Sequence, residues 1–161
     1  MMTVVPRVEI ADDASGMARM LGGLLEENVR DFPTRRSAAA LVRGSVVFIA
    51  ADRGQAVTVH FQGGHIQVAD GDRPGAPAVA GPWLTMTKLC SGQVSPVAAL
   101  RSGELHLENR RRAVVAAAAS FVLSVPPSFY GEPSRTKRVV PVVVGLALLL
   151  GAAAIIRARR H

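Results

Sequence analysis

Between Ala56 and Asp70 the chain reads AVTVHFQGGHIQVAD, and this stretch restricts the fold more than any other. Val57, Val59 and Phe61 alternate with Thr58, His60 and Gln62. After Gly63-Gly64, Ile66 and Val68 alternate with His65 and Gln67. Period-two alternation is the signature of a strand with one buried face. A two-residue Gly-Gly link between such runs is a hairpin signal. The turn sets the register: Phe61 opposite Ile66, Val59 opposite Val68, all apolar on one face. His60 opposite Gln67 and Gln62 opposite His65 form the other face. A one-residue slip would turn every apolar side chain outward, so turn and pattern agree on a single pairing.

The rest of the chain must cover that apolar face. Ser45 to Ala50, SVVFIA, is apolar from Val46 onward and reads as a preceding strand covered on both faces. Upstream, Met17, Met20, Leu21, Leu24, Leu25, Val29 and Phe32 recur at intervals of three and four. This predicts a helix from about Asp13 to Phe32, capped by Asp12 or Asp13 and ended by Pro33. Gly22-Gly23 in its middle costs about 1 kcal/mol per glycine, so either another element packs close there or the helix is built to give. A short helix over Thr34–Arg43 follows.

Downstream lie a short strand around Ala78–Ala80 and a helix begun by Pro82, with Trp83, Met86, Leu89 and Cys90 on one side. A second short helix has Ser95 as cap and Pro96 in its first turn. ELHLE then forms a fifth strand with Leu105 and Leu107 on one face. A last helix runs from Arg110 to about Leu123, capped by Asn109, with Val114, Ala117, Ala118, Phe121 and Val125 as its buried stripe. The expected fold class is α+β: a five-stranded, mostly antiparallel sheet with helices on one face.

The end of the chain is of a different kind. Val139–Ile156 holds 18 residues without a charge. As a helix it is ~27 Å long, close to the ~30 Å hydrocarbon thickness of a bilayer. Arg135, Lys137 and Arg138 precede it, and Arg157, Arg159 and Arg160 follow. Without those six cations the formal charge of +7 falls to +1. The charge therefore belongs to this segment and not to the domain, which argues against nucleic acid as a partner. The expectation is a single transmembrane helix. The start MMTVVPRVEIADD lacks the basic and apolar regions of a secretory signal, which places the folded domain in the cytosol. Residues 1–12 are then an N-terminal segment, 13–123 the domain, 124–138 a Pro-rich basic linker, 139–156 the membrane helix and 157–161 a basic tail. Arg135, Lys137 and Arg138 are candidates for contact with the membrane surface. Ala147 and Gly151 are spaced to let two copies pair in the bilayer as a homodimer.

No catalytic set is legible. Asp70 and Asp72 stand in a turn-rich stretch where Asp is expected for turn reasons. His60 and His65 share the solvent face of the hairpin without a thiolate or carboxylate to complete a metal site. Cys90 is the single cysteine and reads as a small buried hydrophobe. Arg110, Arg111 and Arg112 oppose the dipole of the last helix and read most simply as a solvated first turn. The chain is expected not to be an enzyme, and no metal or cofactor is implied.

RGSVVFIAADRGQAVTVHFQGGHIQVADG and LTMTKLCSGQVSPVAALRSGELHLE, with Leu89, Gly92, Pro96, Ala99, Gly103 and Leu105, resemble the SCP2 sterol-carrier family of lipid-binding domains. The resemblance covers about residues 13 to 123. It implies a cavity between sheet and helices that takes an apolar ligand: a fatty acyl chain, a phospholipid or a sterol-like lipid. Met17, Met20, Leu21, Leu24, Phe48, Val59, Phe61, Ile66, Val68, Trp83, Leu105, Leu107 and Phe121 are the candidate lining. Read by themselves, the same residues favour a solid core, since interiors pack densely; the resemblance brings the cavity level with it. With a solid core the tethered domain is a scaffold or an enzyme accessory module for a protein partner.

Overall fold

The computed structural model describes residues 5–109 and 112–125, and the compact unit ends at Val125. The linker beyond Val125, the expected membrane helix and the basic tail lie outside the described residues, as do Arg110 and Arg111. Among the described residues no helix is long and apolar enough to cross a membrane.

In chain order the elements are β1 (Arg7–Ile10), α1 (Gly16–Asp31), α2 (Pro33–Leu41), β2 (Arg43–Ala50), β3 (Gln55–Gln62), β4 (His65–Asp70), β5 (Ala78–Gly81), α3 (Trp83–Cys90), α4 (Pro96–Ser102), β6 (His106–Glu108) and α5 (Ala113–Leu123). The fold is α+β, with one sheet in the order β1-β4-β3-β2-β5-β6.

The β3–β4 hairpin has the register set by its turn: Phe61 faces Ile66, His60 faces Gln67 and Val59 faces Val68. Gly63 and Gly64 both have positive φ, 66° and 113°, which glycine adopts at no steric cost. β2 pairs antiparallel with β3, so Val46 lies opposite Val59 and Phe48 opposite Val57. One sheet face therefore collects Val46, Phe48, Val57, Val59, Phe61, Ile66 and Val68, all buried. Met17, Leu21, Leu25 and Val29 of α1 cover it in one contiguous core.

The sheet has six strands, not five. β1 pairs parallel with β4, Val8 beside Ile66 and Ile10 beside Val68, so the sheet reaches into the residues read as an N-terminal segment. RVEI escapes sequence reading because it is four residues long, and its partner lies more than fifty residues away. β1 also explains the glycine pair in α1. A Cβ on Gly22 would stand 2.5 Å from the Ile10 side chain, whereas one on Gly23 would meet nothing within 4 Å. Gly22 is thus the point of close approach, and Gly23 is not.

Local caps differ from expectation at two helices. α1 is capped by Ser15, not by Asp12 or Asp13: its Oγ accepts from the Ala18 N–H at 3.2 Å, and the Ser15 N–H and hydroxyl both donate to the Asp70 carboxylate. Asn109 does not cap α5. It sits in the left-handed region at φ 52°, with Nδ2 donating to the Gly75 carbonyl at 2.9 Å. Helix α5 starts at Ala113 with Arg112 as an N-cap that makes no side-chain bond.

α5 is also rotated from its expected setting. The buried residues are Ala116, Ala119, Ser120, Val122 and Leu123. Val114 and Ala117 are exposed and Ala118, Phe121 and Val125 half-buried. AVVAAAASFVL has a single polar residue, Ser120, to mark a face, so pattern alone cannot orient it.

Candidate functional site

The candidate site is the apolar layer between sheet and helices. Met17, Leu21, Phe48, Val59, Phe61, Ile66, Val68 and Leu105 belong to its buried cluster, and Met20, Leu24, Trp83 and Leu107 pack half-buried against it. Phe121 stands apart, half-buried on α5. Leu105 and Leu107 do not share one strand face as expected. β6 begins only at His106, and Leu105 precedes it with its N–H bound to the Ala99 carbonyl at 3.0 Å. Leu21, Val59 and Ile66 are 0% exposed, closed off from the surface. A guest reaches them only if helices and sheet part.

Two polar side chains buried at the edge of this layer escaped sequence reading. Asn28 of α1, 1% exposed, donates from Nδ2 to the carbonyls of Val122 (3.0 Å) and Leu123 (2.7 Å). Arg35 of α2 donates from Nε to the Ser124 carbonyl at 3.2 Å, and its guanidinium lies 3.8 Å from the centroid of the Phe121 ring. A helix C-terminus leaves carbonyls without intrahelical partners and carries partial negative charge. Asn28 and Arg35 satisfy both needs at the end of α5. Burial without a carboxylate holds Arg35 down to about 10, so it stays charged at neutral pH. In sequence, LLEENV and TRRS look like ordinary helix surface, and nothing marks Asn28 or Arg35 as buried.

The outer sheet face is polar. Ser45 Oγ is 2.7 Å from His60 Nδ1 and accepts from Arg73 Nη1 at 2.9 Å. His65 Nε2 is 2.9 Å from Glu9 Oε2. The crossover 71–77 passes over this face, fixed by Arg73 on Ser45 and by the Thr58 hydroxyl donating to the Gly71 carbonyl at 2.8 Å. Val47, between Ser45 and Ile49 on β2, is fully buried. His60 and His65 thus share the outer face but have separate partners. Among the described residues no three His, Cys, Asp or Glu side chains gather as a metal site.

Near Trp83, Asp52 Oδ1 accepts the Trp83 N–H at 2.8 Å and Arg53 lies 4.7 Å from the ring centroid. Together they fix the start of α3 at the edge of the core. Cys90 is buried, and burial raises its thiol to about 12, which makes it unreactive at neutral pH. The candidate membrane contacts Arg135, Lys137 and Arg138 lie outside the described residues.

No family model matches the chain, and no curated protein matches it in sequence. Solved structures do match in shape. A crystal structure of sterol carrier protein 2 aligns over 65% of this chain and 91% of its own, with a TM-score of 0.50 and 19% identity. A UbiJ-SCP2 ubiquinone synthesis protein aligns over 65% and 90%, at 0.48 and 18%. Sterol carrier protein 2 from Yarrowia lipolytica aligns over 63% and 84%, at 0.44 and 15%. On the first of these the chain has an SCP2-like fold; identities this low speak to fold alone.

Proposed function

We propose that this chain is a membrane-tethered carrier module that binds or transfers an apolar ligand between its helices and its sheet. The ligand class is an acyl chain, a phospholipid or a sterol-like lipid. The observation that carries the reading is the continuous apolar layer of an SCP2-like fold, in which α1 presents Met17, Leu21 and Leu25 to Phe48, Val59, Phe61 and Ile66. Met17 and Met20 supply unbranched, adaptable side chains where a guest would part α1 from the sheet. The uncharged run 139–156 between basic flanks supplies the tether, and the domain works on the cytosolic side. In this reading the module carries its ligand and leaves chemistry to other proteins.

One observation favours a second reading. The central core residues are closed off from the surface, as in a solid core, and the domain is then a tethered scaffold or accessory module for a protein partner. Native mass spectrometry of residues 1–125 separates the two. A carrier emerges with an added lipid mass, or its thermal midpoint rises with one of a panel of fatty acids, phospholipids and sterols. A bare mass and an unmoved midpoint throughout support the scaffold.

A further inference from the structure

Helices α2 and α5 lie antiparallel. Arg35, near the start of α2, meets Phe121 and Ser124 at the end of α5. Gly44, three residues past α2, lies 3.6 Å (measured from an ideal Cβ) from Val115 near the start of α5. The two helices therefore share a face, and its far end is apolar and open: Leu41 is 81% exposed and Val114 39%, with Ala117 exposed one turn on. Arg112 and Arg43, both exposed, flank this end in the chain, and neither α2 nor α5 contains a carboxylate.

An exposed apolar end on two helices without carboxylates, with Arg112 exposed beside it in the chain and Arg43 held on the Gln62 carbonyl, suits a bilayer interface with anionic headgroups. The chain length supports this occupant. The uncharged run begins at Val139, separated by 13 residues from the described end at Val125. Those residues span at most about 45 Å when fully extended, and α5 itself is about 16 Å long. A tether of that length permits contact between this face and a bilayer entered at Val139. We propose that the α2–α5 face, centred on Leu41 and Val114, docks the domain on an anionic bilayer. The proposal rests on the reading of residues 139–156 as a membrane span. Docking holds α1 and α5, the helices a guest must part from the sheet, beside the lipid source.

Cys90 is buried and unreactive, so one introduced cysteine carries a polarity-sensitive fluorophore without a competing label. The full chain is labelled at Leu41→Cys, at Val114→Cys, or at Gln67→Cys on the outer sheet face. Each is reconstituted into phosphatidylcholine vesicles with or without phosphatidylserine. The expected result is a blue shift and quenching by spin-labelled lipid at positions 41 and 114, stronger with phosphatidylserine, and neither at 67. In the unlabelled-Arg comparison, Arg112→Glu lowers the phosphatidylserine preference at least about fivefold, the factor equivalent to about 1 kcal/mol per basic residue. Water-like spectra at 41 and 114, or equal quenching at all three positions, overturn the proposal. Carbonate-resistant flotation of the same vesicles reports the span separately. A chain that floats with water-like probes refutes the docking face and leaves the tether standing, and a chain that does not float refutes both. The carrier reading is judged by the bound lipid mass, which these probes do not read.

Discussion

At the residue scale, the two central glycines of α1 look identical in sequence and differ in the fold. Gly22 faces the Ile10 side chain at a distance no Cβ tolerates, while Gly23 faces open space. Gly22→Ala is expected to destabilise the domain by about 1–3 kcal/mol through overpacking. Gly23→Ala is expected to stabilise it by up to about 1 kcal/mol through helix propensity. Urea denaturation of the two variants measures both. Asn28 makes a comparable claim. Asn28→Ala strips the Val122 and Leu123 carbonyls of a buried donor, at about 2–3 kcal/mol, and the same denaturation series checks it. The glycine pair was legible as an anomaly because glycine is costly inside a helix. Asn28 and Arg35 were not, because a polar residue on a helix is ordinary until tertiary contacts bury it.

At the element scale, legibility followed how local each determinant is. The β3–β4 hairpin carries its alternation and turn within fifteen residues, and its register followed from them. β1 depends on a parallel partner far along the chain, and its four residues hold too little pattern to announce a strand. α5 failed for the opposite reason: it is apolar on nearly every side, and its rotation is fixed from outside by Asn28 and Arg35 on its last carbonyls. That rotation makes a sharp prediction. Ala117→Gln, on the outward face, should change stability by no more than about 0.5 kcal/mol. Ala119→Gln, at a position 1% exposed, should cost several-fold more, since it both overpacks the core and buries an amide. Thermal melts of the pair decide whether the helix faces as described, and equal effects would return α5 to the setting its sequence suggested.

At the scale of the whole molecule, the apolar layer serves as both core and candidate ligand site. Its membership was largely legible, because helix and strand periodicities converge on it. Whether it opens was not, because the same side chains fill a solid core or close over a guest. The chain contains one tryptophan, Trp83, half-buried against this layer. Its emission therefore reports directly on a guest. Titrating the protein with a fatty acid brominated along its acyl chain tests the central claim most directly. The account predicts saturable quenching of Trp83, reversed by excess unbrominated fatty acid. Emission that stays constant across the titration would contradict it.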